Sequence, residues 1–387
     1  MFPFEYHNPT KIIFGEGTVG RIGEEARRCG RKALFLYGRN SIKANGVYDQ
    51  AVASLRESKV DFIEHPGVKS NPVLSHTRRG IEIVKQEKID VIVAVGGGSV
   101  IDEAKAIAAG AVVDHDVWDF FTQKAAVETA LPIVTVLTLP ATGSEMNGGL
   151  VITHDETREK FGFMAVPLHP RASILDPTTT YTVPPDYVAY SAADSMTHLL
   201  ESYFTHNDPW APIQDRYVEG LVRTIMEATE KILANPRDAQ GRATMMWAAT
   251  LAWNRLANAG VGPFELPNHM MEHPLSGLYD IAHGAGLSIV LPAWMRWTAQ
   301  QRPARFARFA RTVFDIRCDD DAEAARQGIE ALRAWFNKIG TPTTFAQGRI
   351  PAADIPKIAD EAIKLGKLWG ITRYTPEMLH EIYRLCL

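Results

Sequence analysis

The sequence predicts an α/β domain built on a parallel sheet, followed by an all-helical domain. Three observations predict it. The runs at 33–37, 91–95 and 133–139 are short and continuously apolar. Each is closed by a glycine-bearing turn (Gly38, Gly96 and Pro140-Ala141-Thr142-Gly143) and followed by a helix-like pattern. Runs of this length without polar alternation read as parallel strands buried on both faces. The stretch from Asp176-Pro177-Thr178 to Val183-Pro184-Pro185 concentrates turn formers and marks a hinge. Beyond Tyr187 the pattern turns helical, as at 215–234 and 243–257, with no convincing strand. The expected domains are therefore 1–183 and 184–387.

A chain of 387 residues is long enough for two cores. A net charge of -4 and the absence of a Lys/Arg block give no footprint for nucleic acid. Arg302, Arg305, Arg308 and Arg311 recur at helical spacing and are expected to form a solvated or partner-facing helix side. The opening MFPFEYHNPTKIIFGEG has no basic leader before an apolar core, and no apolar stretch is long enough to span a bilayer. Cys29, Cys318 and Cys386 are odd in number and far apart, which argues against a disulfide framework. A reducing cytoplasm is the expected compartment, with no membrane partner.

Gly96-Gly97-Gly98-Ser99 leaves an expected strand and enters the helical run beginning Val100-Ile101-Asp102. Glycines there let a backbone approach a ligand closely, and the new helix offers N–H groups suited to a pyrophosphate. The same glycines also serve a tight turn without any ligand, and the spacing is not G-x-G-x-x-G. The segment from Thr138 to Glu145 again leaves a strand, and its hydroxyls either line the same pocket or cap the next helix. Tyr37-Gly38-Arg39-Asn40-Ser41 follows the first strand of the βαβ pattern, where a dinucleotide's adenosine end lies.

Histidines cluster farther on. Asp194 and His198 are four residues apart in a helical stretch and so share a face. His269 and His273 have the same spacing, although Pro274 makes His273 the expected helix end, and His283 follows beside Gly284. One carboxylate with several imidazoles suits a divalent transition metal, and no thiolate selects among them. A lone histidine is more often a hydrogen-bonded core residue; four such groups together favour the metal. His206 and His380 lack comparable neighbours and read as structural.

These residues, with Asn8-Pro9-Thr10-Lys11-Ile12-Ile13-Phe14-Gly15, Thr142-Gly143-Ser144-Glu145, Ile213-Gln214-Asp215-Arg216 and the stretch from His269 to Gly286, resemble the iron-containing alcohol dehydrogenases. The resemblance is to their butanol dehydrogenase and NADPH-dependent aldehyde reductase branch and spans essentially the whole chain. It implies a dehydroquinate synthase-like architecture, with an N-terminal dinucleotide-binding domain and an all-α metal-binding domain. The metal ligands it implies, for Fe2+ or Zn2+, are Asp194, His198, His269 and His283. His273 matches an extra histidine near the metal and is the candidate catalytic group for proton transfer. The implied cofactor contacts are Gly38, Ser41, Gly97, Gly98, Ser99, Asp102, Thr138, Thr142, Ser144 and Lys160, with Asn71 and Asn147 as additional members. Arg39 stands where NAD-preferring relatives carry an acid, so NADP(H) is the expected preference over NAD(H). A homodimer acting on small aldehydes and alcohols is also implied.

Two other classes compete with this reading. A dehydroquinate synthase-like lyase needs Lys and Arg residues to hold a carboxylate and a phosphate, whereas the flanks of the histidines offer Trp253, Leu256, Phe264, Met270 and Leu275. A non-enzymatic metal-binding protein has no use for the glycine loops.

Overall fold

The computed structural model describes residues 1–208 and 210–387. Its strands are β1 (Lys11–Phe14), β2 (Lys32–Tyr37), β3 (Asp61–Pro66), β4 (Val91–Gly97), β5 (Ile133–Leu139), β6 (Gly149–Thr153), β7 (Lys160–Met164) and β8 (Ala172–Leu175). Between them run α1 (Ile22–Cys29), α2 (Ser41–Ala44), α3 (Val47–Glu57), α4 (Leu74–Glu87), α5 (Gly98–Gly110) and α6 (Trp118–Phe121). The chain then continues through α7 (Pro185–Thr205), α8 (Pro212–Ala234), α9 (Ala239–Ala252), α10 (Pro267–Tyr279), α11 (His283–Ala299) and α12 (Pro303–Val313). The last helices are α13 (Asp321–Lys338), α14 (Ile355–Trp369) and α15 (Pro376–Arg384). Two compact units result: one of His7–Val183 with Asn235–Asn254, the other of Met1–Tyr6, Pro184–Ala234 and Arg255–Leu387.

The first unit holds a six-stranded sheet in the order β1-β8-β5-β4-β2-β3, parallel at every pairing. The three apolar runs become β2, β4 and β5, and the reason for their composition is visible in the packing. Ala33, Phe35 and Tyr37 of β2 enter one core with Ile22, Ala26, Ala51 and Leu55 from α1 and α3. Leu34 and Leu36 enter the opposite core with Val84, Ile101, Ala104 and Ile107 from α4 and α5. A strand covered on both faces has no position at which a polar side chain reaches water. Strands β6 and β7 form a separate antiparallel hairpin, which the sequence pattern does not announce.

In the second unit every strand is absent among the described residues, as the helical periodicity predicts. Helix α10 runs straight through Pro274, so His273 is inside the helix and is not its end. Proline there lacks one N–H, but α10 is packed against α11 and α14, and that burial outweighs the missing bond.

The row from Arg302 to Arg311 stays partly solvated, as expected, but each guanidinium also reaches back to the protein. Arg305 donates to the Tyr203 carbonyl at 2.8 Å and to Asp215 at 2.5 Å, and Arg302 to the Phe204 carbonyl at 3.3 Å. Arg308 bonds Glu219 at 2.6 Å, and Arg311 bonds Asp321 at 2.8 Å. Two of these arginines satisfy the last carbonyls of α7, where a helix end favours cations. His206, without a recognisable partner in the sequence, joins the same network through Arg305 at 2.8 Å and lies 3.8 Å from Asp215. Among the described residues no helix is long and apolar enough to cross a membrane.

Candidate active site

The helical unit brings Asp194, His198, His269 and His283 together. Helix α7 supplies the first two one turn apart, α10 supplies His269 in its first turn, and α11 begins at His283. Gly284 allows that start: a Cβ at this position would lie 2.0 Å from the Tyr190 carbonyl oxygen. Three imidazole nitrogens surround one carboxylate oxygen. His198 Nδ1 is 3.4 Å, His269 Nε2 3.7 Å and His283 Nε2 3.8 Å from Asp194 Oδ1.

These separations suit a shared ion better than hydrogen bonds. Ligand atoms about 2.1 Å from one ion, at tetrahedral angles, stand about 3.4 Å apart. Asp194 Oδ1 and His269 Nε2 are buried and have no hydrogen-bond partner, which is costly unless something else satisfies them. The donor set, one carboxylate and three imidazoles, fits a divalent transition metal.

Electrostatics point the same way. Burial would raise the Asp194 carboxyl, but the charges of His198, His269 and His283 hold it down to about 2. Burial pushes His198 down to about 3, leaving it neutral and able to donate a lone pair. Burial works against a charged His269 too, yet Glu201 and Asp194 hold it up to about 10. A metal at that nitrogen must displace this proton, so binding strengthens as pH rises.

Two buried carboxylates fix the rings, and the sequence reading did not assign them. Glu201 accepts backbone N–H bonds from Asn268 at 2.5 Å and His269 at 3.1 Å, and it also meets His269 Nδ1. It therefore caps α10 and orients the imidazole at once. Glu272 meets His283 Nδ1 with one oxygen and takes the Ser276 hydroxyl on the other. Gly286 makes room for it, since a Cβ there would lie 2.5 Å from Glu272 Oε1. The signal was present: Asp194, His198 and Glu201 stand at i, i+4 and i+7, on one helix face. His273 lies buried one turn beyond His269, its ring 5.5 Å from that of His283 and 5.2 Å from that of Trp369.

The α/β unit gathers the other candidate residues. Gly97 ends β4 and Gly98 and Ser99 open α5, so the first N–H groups of that helix emerge at the end of the strand. Gly98 abuts Thr142, whose Oγ1 a Cβ would meet at 2.3 Å. Thr138 is near the end of β5, and Gly143 adopts a left-handed φ of 61°. Asn71 precedes Pro72, whose carbonyl accepts the Thr153 N–H at 2.8 Å, and Thr153 pairs with Lys160 across the β6–β7 hairpin. Gly38, Arg39 and Ser41 follow β2, with Arg39 and Ser41 exposed.

Asp102, Ser144 and Asn147 meet around the buried ammonium of Lys105, which bonds Ser144 Oγ at 2.7 Å and the Gly149 carbonyl at 2.7 Å. Ser144 donates to Asp102 at 2.6 Å, and Asn147 Oδ1 lies 3.3 Å from Lys105 Nζ. Burial raises Asp102 to about 6 and lowers Lys105 to about 8, each opposed by the other's charge. These three side chains thus brace the turn from behind.

Known proteins share this arrangement of sequence and fold. Residues 9–177 match the iron-containing alcohol dehydrogenase family, and residues 188–385 match the C-terminal region of the Fe-containing alcohol dehydrogenase family. A probable NADH-dependent butanol dehydrogenase of Bacillus subtilis (strain 168) is 43% identical over 95% of both chains. The NADPH-dependent aldehyde reductase YqhD of Escherichia coli (strain K12) is 36% identical over 99% of this chain and 100% of its own. The crystal structure of NADH-dependent butanol dehydrogenase A from Thermotoga maritima superposes with a TM-score of 0.96 at 44% identity, covering 100% of this chain and 99% of the other. The chain belongs to the iron-containing alcohol dehydrogenase family, in its butanol dehydrogenase and aldehyde reductase branch, and is an oxidoreductase acting on CH–OH groups with NAD(P).

Proposed function

We propose that this protein interconverts small aliphatic aldehydes and primary alcohols by hydride transfer with NADP(H), using Fe2+ or Zn2+ held by Asp194, His198, His269 and His283. The observation that carries the reading is the ring of three imidazole nitrogens about Asp194 Oδ1. A bound divalent cation supplies Lewis acidity toward the substrate oxygen. The chain's own residues do the rest. Glu201 and Glu272 hold two imidazoles in the tautomer that leaves Nε2 for a ligand. Gly38, Ser41, Asn71, Gly97, Gly98, Ser99, Thr138, Thr142 and Lys160 contact the cofactor, and Asp102, Ser144 and Asn147 shape the same pocket. We assign the cofactor to the unit of His7–Val183 with Asn235–Asn254 and the metal to the unit of Met1–Tyr6, Pro184–Ala234 and Arg255–Leu387, so the expected division at 183/184 is kept except that 1–6 and 235–254 change sides. We also propose a homodimer, which the resemblance implies, in a reducing cytoplasm, which the three unpaired cysteines imply, and light scattering measures the assembly directly.

His273 is assigned the proton transfer at the substrate oxygen. His273→Ala is expected to keep its metal, lose turnover and change the pH dependence of the rate. A variant with wild-type rate and pH profile reduces His273 to part of the wall.

The choice of cofactor turns on Arg39. No acid stands in Tyr37-Gly38-Arg39-Asn40-Ser41 to accept a ribose 2′-hydroxyl, and an exposed guanidinium suits a 2′-phosphate. A charge-assisted contact of about 1.5–3 kcal/mol corresponds to roughly ten- to a hundredfold in affinity. The names of the Bacillus and Thermotoga relatives carry NADH, which supports the opposite preference. Reduction of butanal with NADPH and with NADH, in wild type and Arg39→Asp, separates the two. NADP(H) preference requires a higher kcat/KM with NADPH in wild type and a collapse of that ratio in the variant.

A further inference from the structure

A second group of histidines lies in the α/β unit, away from the residues assigned to the metal. His65 stands near the end of β3, His76 in the first turn of α4 and Glu103 in the middle of α5. Two histidines and a glutamate have the composition of a metal site, but their geometry argues against one. The rings of His65 and His76 stack 4.0 Å apart at 15°, so their in-plane lone pairs lie in nearly parallel planes and do not converge. Their nitrogens are also committed elsewhere. His76 Nδ1 meets the Glu103 carboxylate, His76 Nε2 lies 3.0 Å from the Pro66 carbonyl, and His65 Nε2 lies 3.2 Å from the His76 carbonyl.

Both nitrogens of His76 therefore face acceptors. Burial raises the Glu103 carboxyl while the bond and charge of His76 lower it, and with Glu103 ionised only the imidazolium supplies a proton to each acceptor. Glu103 is fully buried, so the cation has a counter-charge that water does not screen. What this pair holds is the turn from Pro66 to Asn71. Gly67 donates to the carbonyls of Tyr37 at 3.1 Å and Gly38 at 2.9 Å, and Ser99 donates its hydroxyl to the Ser70 carbonyl. One short turn thus carries Asn71 and touches Gly38 and Ser99. Its near end is fixed by His76, and its far end by a residue one helical turn from Glu103 on α5.

We propose that the His76 imidazolium, locked on Glu103, is a positioning residue that sets the Pro66–Asn71 turn for the dinucleotide, so that cofactor affinity falls when His76 loses its proton. The inference rests on the cofactor role assigned above to Gly38, Asn71 and Ser99. Burial by itself would lower the His76 pKa, but the bond and charge of Glu103 and the Pro66 carbonyl raise it above the ordinary histidine value, against Arg79. The other groups facing the pair are His65, which burial and the charge of His76 hold down at about 4, and Asp155, which acts on Glu103. His65 is thus already neutral across the range in which His76 titrates. A group whose folded-state pKa is raised contributes fully below its ordinary value, and the contribution is lost as pH rises through the raised one.

The test is the dissociation constant of NADPH and of NADH, from reduced-cofactor fluorescence with wild type and His76→Gln between about pH 6.5 and pH 9. Glutamine is neutral and cannot donate to both acceptors. The expected result is wild-type binding that weakens with rising pH, and a variant about tenfold weaker at the low end, equivalent to ~1.4 kcal/mol, whose affinity is flat with pH. NADH lacks the 2′-phosphate, so the same trend with both cofactors excludes titration of the ligand. Metal content and kcat at saturating cofactor are expected to stay near wild type. A Glu103→Gln protein, which keeps an acceptor for His76 but removes the charge, is expected to shift the pH at which binding weakens downward. Variants that match wild type in affinity and pH slope overturn the inference. Failure of wild type to bind either cofactor overturns the underlying cofactor assignment instead.

Discussion

Replacing His269 with alanine is expected to remove the divalent metal and the aldehyde reductase activity together. His269 contributes the buried Nε2 that lacks a hydrogen-bond partner and stands 3.7 Å from Asp194 Oδ1. Binding energies of about 10–16 kcal/mol over four ligands put roughly 3 kcal/mol on each, on the order of a hundredfold in metal affinity. The substitution also lowers folding stability, because it strips Glu201 of its imidazole partner. A buried carboxylate deprived of its partner costs about 3–5 kcal/mol. Elemental analysis after dialysis against a chelator, butanal reduction and a thermal melt separate the effects. Low metal with a cooperative melt is the expected pattern. A dialysed His269→Ala protein that reduces butanal at the wild-type rate removes His269 from the metal centre.

The parts of the fold and site that were legible in the sequence share a physical reason. Burial on both faces forces the continuous apolar composition of β2, β4 and β5, so those strands are written locally. The Asp194 and His198 pair is local too, since four residues on a helix bring two side chains to one face. What was not legible depends on distant partners. Pro274 breaks a helix in isolation, but neighbouring helices keep α10 intact. The arginines of α12 have the spacing of a solvent stripe, and only the positions of Asp215, Glu219 and the α7 carbonyls decide where they point. Nothing in the local sequence marks Lys105, yet it lies buried because Ser144, Asn147 and the Gly149 carbonyl receive its ammonium. Glu201 and Glu272 occupy ordinary helical positions, and their importance appears only when α10 and α11 are brought against them.

That last point gives the second large effect, expected from Glu201→Gln. Glu201 is fully buried and accepts from three donors, the Asn268 and His269 N–H groups and His269 Nδ1. Glutamine is nearly isosteric, and its carbonyl oxygen can keep both backbone bonds, so the cap on α10 survives. Its other terminus is an NH2 group, which donates where the carboxylate accepted. His269 Nδ1 must then become an acceptor, and its proton moves to Nε2. Nε2 is the atom directed at Asp194 Oδ1, and a protonated nitrogen has no lone pair for a metal. The substitution therefore reverses a tautomer without removing a ligand. Partners of this kind are worth about 10–100-fold in metal affinity or activity, and the tautomer argument puts Glu201→Gln at the upper end. Excess metal is expected to restore part of the butanal reduction, while NADPH affinity stays unchanged because no cofactor residue is touched. Glu201→Gln is expected to lower the thermal midpoint of the metal-free protein by removing the counter-charge of His269, and Glu201→Ala, which opens the α10 terminus as well, to lower it further. If Glu201→Gln binds metal with wild-type affinity and keeps its kcat/KM, the tautomer of His269 is not set by Glu201.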